Sequence, residues 1–358
     1  MTFTIIFLQI ILFQMLTIFG DYLTANSIIS IALLGISAGG LIGWRTSRQA
    51  PLQTMAWASL LLPISILLAS RATAGATQVP LLVSILLMPP FVCASAVITV
   101  ALARSKSHLI YFIDLLGAAI GALLVNAALS AFREESSLLF LSAFTALLSG
   151  CFTLTLTPRR NRTWILALMF AVFFAIGSMN LQFDWLNIVR FKLRQRYPDA
   201  KVMFSRSSFV GRYDVVRRTL KSETLKAYEN GRTIDTIRPT PEEFYQIDPR
   251  LPHTLMEDPV ILILGISGDG IAKTSRALGK KVYGVEINPT VVSLHTNELV
   301  EFNANSYEDI EVAIMDGRSY VEQSRQKYDI ITLLNTHAAR GLSQDALRVQ
   351  NISTHVKL

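Results

Sequence analysis

Three glycines and three acids in the last third of the chain have the types and spacing of a small-ligand cradle. Gly265, Gly268 and Gly270 stand in "GISGDG", with Asp269 between the last two, and Glu286 follows Gly265 by 21 residues in "VEINP". Glycine lets a backbone turn tightly and come close to a ligand, with helix N-terminal N–H groups facing it. An acid about 20 residues on, at the end of the next strand, accepts hydrogen bonds from ribose hydroxyls, so the pairing points to an adenosine-containing ligand. Asp316 in "MDGR" is a third candidate, placed to reach an adenine amino group. A purely architectural glycine turn, and a simple turn at Asp316-Gly317, are the alternatives for the same residues.

The elements around these residues predict how they are held. Val260 to Leu264 is a short buried-strand run, Ile271 to Leu278 is helical, and "KVYGVEI", "IEVAIM" and "YDIITLL" supply three more strands. Strands alternating with helices at this spacing predict βαβ units and a parallel sheet, with ligands at the carboxyl ends of the strands. Two other phosphate cradles do not fit. A Walker A loop needs Gly-Lys-Ser/Thr directly after its spacer, whereas Lys273-Thr274 comes two residues late after Gly270. A dinucleotide fingerprint needs GxGxxG, and the chain has GxxGxG. Upstream, "YDVVRR" and "YENGRTI" predict a small β region with an Asn-Gly turn.

The rest of the chain is of another kind. Of 358 residues 51% are hydrophobic and 16% charged, against about 25% charged in an ordinary soluble protein. Residues 1–180 hold four acids and nine Lys/Arg, which puts +5 of the net +7 there and leaves +2 for the remainder. The basic pI therefore comes from short loops and gives no reason to expect nucleic acid. Seven apolar segments, near 3–19, 26–44, 54–70, 79–103, 109–131, 137–156 and 164–180, approach the length of about 20 residues that a bilayer requires. Gly35, Gly39 and Gly43 recur at four-residue spacing, as do Gly117 and Gly121, which lets helices pack closely. Asp114 is an acid inside an apolar run, placed for an intramembrane or a helix N-terminal role. Basic loops after the second, fourth and sixth segments predict a cytoplasmic N-terminus, while "RFKLRQR" after the seventh pulls the other way, leaving the side of the C-terminal domain open. The Pro89-Pro90 break marks the fourth segment as a candidate re-entrant path. Cys93 and Cys151 lie in apolar segments, and no Cys/His spacing suggests a metal site. The predicted architecture is a multi-pass α-helical membrane domain over 1–180, a linker with a small β region over 181–255, and a Rossmann-like α/β domain over 256–358.

"EEFY", the glycine turn with Asp269, "VEINP", "MDGR" and "YDIITL" together resemble, in order, the polyamine aminopropyltransferases, or spermidine synthases. "YFIDLLGAAIGALL" and "TLLNTH" are similar to segments of their membrane-bound bacterial relatives. The resemblance implies the S-adenosylmethionine methyltransferase-like fold and a place in the bacterial inner membrane. It also implies a co-substrate that is not tightly held, decarboxylated S-adenosylmethionine or S-adenosylmethionine, with a small amine as acceptor. In that reading Glu286 holds the ribose, Asp316 the adenine and Asp269 the charged tail, and Tyr245 lies near the amine. The family's chemistry is attack of a deprotonated amine on the carbon beside a sulfonium, helped by a carboxylate after the fourth strand.

The chain departs from that pattern at the base. Leu334 stands where the acid is expected, the acid three residues on is also absent, and His337 is the substitute candidate, with the ordinary histidine pKa near 6.5 suited to the task. A loop histidine with a plain polar role is the alternative. Only 24 residues follow Leu334, which predicts an incomplete sheet and a C-terminally truncated domain. Three functions stay open: an adenosyl-nucleoside-binding aminopropyltransferase, a non-catalytic membrane interaction or assembly protein that keeps the fold, and a transporter-like protein. An oligomer is compatible with each.

Overall fold

The computed structural model describes residues 1–18, 22–75, 81–105, 107–156, 172, 174, 176–177, 179–180, 186–208, 210–239, 256–266, 269–279 and 281–333. The chain forms two compact units, Met1–Lys192 and Leu193–Leu358.

The first unit is helical: α1 (Thr2–Thr17), α2 (Tyr22–Ser47), α3 (Pro51–Gly75), α4 (Leu81–Leu87), α5 (Pro89–Arg104), α6 (Ser107–Ala131) and α7 (Glu134–Leu156). The second to fifth of the seven apolar segments are candidate spans among the described residues: Ala25–Ser47, Pro51–Ala74, Leu82–Arg104 and Ser107–Ala131. Helix α1 is apolar but only 16 residues long. Helix α7 matches the sixth segment and is not among the four; its Ser136, Ser137, Ser142, Thr145 and Ser149 are buried within the unit. The seventh segment lies mostly outside the described residues. At the proline pair, Pro89 and Pro90 form the first turn of α5, where a missing N–H costs nothing, and Phe91 N and Val92 N donate to Met88 O at 3.1 and 3.2 Å. Helices α4 and α5 thus share one candidate span.

Small residues set the packing of this unit. A Cβ on Gly39 would come within 2.3 Å of Val92 O, and one on Gly43 within 2.7 Å of Ala96 O, so the backbones of α2 and α5 touch where side chains would otherwise stand. Ser95 Oγ donates to Ile36 O at 2.7 Å across the same seam, and Arg104 binds Ser47 O at the end of α2 through Nε and Nη2 at 2.8 and 2.6 Å. Gly121 of α6 meets the backbone of Phe3 in α1 in the same way, since a Cβ on Gly121 would lie 2.9 Å from Phe3 O. Thr2 Oγ1 donates to Asp114 one turn before Gly117, so this acid ties α6 to α1. Ser142 Oγ of α7 donates to Pro63 O of α3 at 2.7 Å.

The second unit begins within α8 (Ile188–Arg196) and contains two sheets. Strands β1 (Lys201–Ser207), β2 (Arg212–Arg217), β3 (Leu225–Glu229) and β4 (Arg232–Ile237) form an antiparallel meander in chain order. The Asn-Gly signal is the β3–β4 turn, with Asn230 at φ 47° and Gly231 at φ 75°, the left-handed pair that a two-residue hairpin needs. The meander is more extensive than the short β region read from the sequence.

Strands β5 (Val260–Leu264), β6 (Lys281–Glu286), β7 (Ile310–Ile314) and β8 (Ile330–Leu333) form a wholly parallel sheet ordered β7-β6-β5-β8. Helix α9 (Asp269–Leu278) connects β5 to β6, and α10 (Pro289–Ser293), a π-helical turn (Leu294–Glu298) and α11 (Val300–Asn303) connect β6 to β7. Helix α12 (Gly317–Gln323) leads to β8. Ile261, Leu262 and Ile263 are fully buried, as expected of a central parallel strand covered on both faces. One core joins Tyr213, Val215, Leu225, Ala227 and Ile237 of the meander to Val291, Leu294 and Leu299, so the segment after β6 is shared by both sheets.

The α2–α5 seam gives a paired expectation. Gly39→Val forces backbone apart and should destabilise the protein by about 3 kcal/mol or more, whereas Gly40→Val should stay within about 1 kcal/mol, because a Cβ there meets Thr99 Oγ1 only at 3.7 Å. Thermal unfolding of the two variants in detergent checks this, and equal losses would contradict it.

Candidate functional site

Of the candidate residues, Gly265, Gly270 and Glu286 lie at the carboxyl ends of β5 and β6, and Asp316 follows β7. Gly265 has φ 82°, a conformation that strains any residue with a Cβ, and this turns the chain out of β5. Its N–H and that of Ile266 both donate to Val285 O, at 2.8 and 3.2 Å, fixing the turn beside the end of β6. Tyr307 Oη donates to Ile266 O and ties the same turn from the other side. Gly270 lies in the first turn of α9. Gly268 and the side chain of Asp269 are outside the described residues, as are Tyr245, Leu334 and His337.

Glu286 closes β6 with 4% of its surface exposed. Its Oε1 accepts from Asn288 N at 2.9 Å, and its carbonyl accepts from Met315 N at 3.1 Å. Burial raises its pKa, against the pull of the Asn288 and Ile287 backbone N–H groups. A buried carboxylate is costly unless donors meet it, so this position is prepared for hydroxyl or amine donors.

Asp316 is exposed and caps α12: its Oδ1 accepts from Arg318 N and Ser319 N at 3.1 and 3.2 Å. That is the turn-forming alternative for "MDGR" realised in structure, and it commits one carboxylate oxygen to the helix N-terminus. The N-terminus of α9 is also engaged. Gly270 N donates to Asp235 Oδ2 of β4 at 3.4 Å, and Lys273 Nζ donates to Arg238 O at 2.6 Å. With a carboxylate already at the positive end of the helix, the turn is a poor phosphate cradle.

Other polar residues of the site carry no sequence motif. Asn288 is fully buried and caps α10, with Oδ1 accepting from Thr290 N and from Ser208 Oγ of the meander, both at 3.1 Å. Glu229, at the end of β3, is partly buried, and its pKa is pushed up to about 7 by burial first and by Glu286 second, with Asn288 pulling it down. Two carboxyls from two sheets thus face one region. Behind it, Arg212 and Asp214 form a fully buried ion pair at 3.1 Å, to which Ser205 adds bonds to both. His295, in the π-helical turn, is buried, stacks on Tyr307 at 4.8 Å and lies 2.9 Å from Tyr213 Oη through Nε2. Asn303 Nδ2 reaches its Nδ1 at 3.4 Å, so Nδ1 accepts and the neutral ring carries its proton on Nε2. Burial, then the charge of Lys273, lowers its pKa to about 3. A glutamate at the end of the strand, just before an Asn-Gly turn, was the sequence cue for Glu229; nothing local marks His295.

These shifts predict an opposed pH response. The pKa of Glu229 is about 7 folded and about 4.3 unfolded, so its favourable contribution is complete below the unfolded value and is lost as pH rises through 7. His295 is lowered, so its contribution is complete above about 6.5 and is lost as pH falls. Amide exchange of β3 and β6 peptides in the full-length protein, corrected for intrinsic rates, should show protection falling from pH 6 to 8 by at most about tenfold per unit. Glu229→Gln should flatten that fall; an unchanged slope in the variant would contradict the assignment.

No family model matches the chain, and no curated protein matches it. Solved structures do. The crystal structure of spermidine synthase in complex with the transition state analogue AdoDATO is 19% identical over 38% of this chain and 48% of that one, with a TM-score of 0.31. The crystal structure of spermidine synthase from Thermotoga maritima is 19% identical over 38% of this chain and 47% of that one, with a TM-score of 0.32. The matched part spans about half the length of those solved chains.

Proposed function

We propose that the chain is a membrane-anchored, spermidine synthase-like protein whose C-terminal unit binds an S-adenosyl-type nucleoside, either decarboxylated S-adenosylmethionine or S-adenosylmethionine. The observation that carries this reading is Glu286: a nearly buried carboxylate at the carboxyl end of β6, next to the glycine turn that ends β5. In a parallel sheet that is where a ribose is held, and an acid there selects hydroxyl donors. The carboxylate at the start of α9 argues for a ligand without phosphate. Asp316 keeps one oxygen free of its cap for an amino group of the base. Asp269 would meet a charged tail and Tyr245 an amine acceptor.

Aminopropyl transfer would add a step in which an uncharged amine displaces the sulfonium, and His337 is the residue that would take the amine's proton. Leu334, where the sequence pattern calls for an acid, favours a second reading in which the nucleoside is bound without transfer. The four long apolar helices support a place in a lipid bilayer for the first unit.

Binding of S-adenosylmethionine and its decarboxylated form to the full-length protein in detergent should weaken about a hundredfold in Glu286→Ala, measured by calorimetry. Wild-type protein that binds neither would refute the nucleoside reading. Mass spectrometry of incubations with putrescine separates the two readings: an aminopropylated product lost in His337→Ala supports transfer, and none supports the binding protein. Membranes washed with alkaline carbonate should retain the protein; release into the supernatant would refute bilayer anchoring.

A further inference from the structure

Helices α2 and α3 meet at a corner that carries two exposed tryptophans and two exposed arginines. Gln49 N and Ala50 N both donate to Thr46 O, at 3.1 and 2.9 Å, so α2 turns directly into α3 and the end of one lies beside the start of the other. Trp44 and Trp57 fall on the two sides of that turn, with 60% and 67% of their surface exposed. Arg45 and Arg48 are exposed three residues apart, and neither makes an ion pair or a hydrogen bond among the described residues. Arg104 reaches the same end but differs, because its guanidinium closes the end of α2 on Ser47 O. From Tyr22 to Ala131 the sequence contains one acid, Asp114, and that acid accepts from Thr2 Oγ1. Two free guanidiniums therefore stand at this corner with no carboxylate among the described residues to pair with them.

We propose that this corner binds the headgroup of an anionic phospholipid, with Arg45 and Arg48 on its phosphate and the two indoles beside it. This rests on the bilayer reading above and names the class of lipid. Helix length sets the depth. The 23-residue span Ala25–Ser47 is about 35 Å long, against a hydrocarbon core of about 30 Å, so its last turn reaches the headgroup region. Tryptophan settles at that level, where its ring meets acyl chains and its N–H meets polar oxygens. One turn before Arg45, Leu41 is 65% exposed, and one turn after Trp57, Leu61 is 50% exposed, so a ligand at the corner meets charge and hydrocarbon together. A free phosphate uses only the first of these. A guanidinium pairs with a phosphate through two parallel N–H groups, which suits two arginines without partners. Zwitterionic headgroups also carry a phosphate, but their ammonium would meet two more cations and no acid. A headgroup with net negative charge has no such conflict, so the corner selects by charge.

Quenching of tryptophan fluorescence by brominated lipid tests the site. Of the four tryptophans, Trp57→Phe, Trp164→Phe and Trp185→Phe leave only Trp44, which adjoins Arg45. The full-length protein with these changes is reconstituted in phosphatidylcholine vesicles that contain a rising fraction of brominated phosphatidylglycerol or, in parallel, of brominated phosphatidylcholine. Brominated phosphatidylglycerol should occupy the place beside Trp44 about fivefold more strongly than brominated phosphatidylcholine, and raising the salt to about 1 M should shrink that preference. Arg45→Gln combined with Arg48→Gln should cut it to about twofold or less, whereas Arg45→Lys combined with Arg48→Lys, which keeps both charges, should retain most of it. Equal quenching by the two lipids before either arginine is changed would overturn the headgroup site and leave the bilayer reading in place. A preference that survives the double glutamine change, with thermal unfolding in detergent unaltered, would take the site away from these arginines and overturn it too. Loss of the preference on adding inorganic phosphate at constant ionic strength would make the corner a site for a free anion instead of a lipid. No quenching by either lipid would remove the bilayer reading, and the proposal with it.

Discussion

The side chain of Asn288 joins the two sheets of the C-terminal unit, and the rest of the site depends on it. One oxygen serves both the start of α10 and Ser208 of the meander, while the backbone N–H of the same residue fixes the Glu286 carboxylate. Removing that oxygen would release three structures at once: the helix start, the tie between sheets and, through movement of the backbone, the orientation of the acid. The apolar core that Tyr213 and Val215 share with Val291 and Leu294 presses the sheets together but has no direction. The hydrogen bonds supply the register in which Glu229 comes to face Glu286.

The two units solve opposite solvation problems. In the helical unit, polar atoms are turned inward onto helix carbonyls, as with Ser95 on Ile36 and Ser142 on Pro63, and glycines bring backbones into contact. Leu33, Leu34, Leu41, Leu115, Leu116 and Leu123 remain exposed, which suits a hydrocarbon surround and would be costly in water. In the C-terminal unit, apolar side chains are turned inward, and the exceptional residues are buried charges. Arg212 with Asp214 is paired and hydrogen-bonded, which offsets much of its desolvation. Glu229 and Glu286 are like carboxyls whose burial raises their proton affinity, met in part by the Asn288 side chain and by backbone N–H groups. A folded domain keeps such a pair only at some loss of stability, which makes it a candidate ligand site.

Much of this arrangement was legible beforehand. The four parallel strands, the helix after the glycine turn and the Asn-Gly hairpin all follow from apolar periodicity and turn residues, because these signals are local. Gly39 and Gly121 were legible as helix contacts for the same reason. Among the described residues four helices have the length and apolarity of a span; α1 is only 16 residues long, and the buried serines of α7 bring into its interior a polarity that a segment's apolar character conceals. Asp316 was read as a ligand for a base, and its carboxylate is first of all a helix cap. Glu229 and His295 were not read at all, since their environments are made by residues from distant parts of the chain.

The sequence by itself determined the two classes of structure, one apolar and helical and one α/β, together with the glycine turn and the acid at the end of β6. Those properties reside in composition, period and spacing along a single segment. Tertiary structure alone decided that β3 brings a second carboxyl near Glu286, that Asp235 occupies the start of α9, and that Asn288 ties the two sheets through Ser208. Each depends on how closely two segments far apart in the chain approach, and on how much water is excluded between them, neither of which is written in any one stretch of residues.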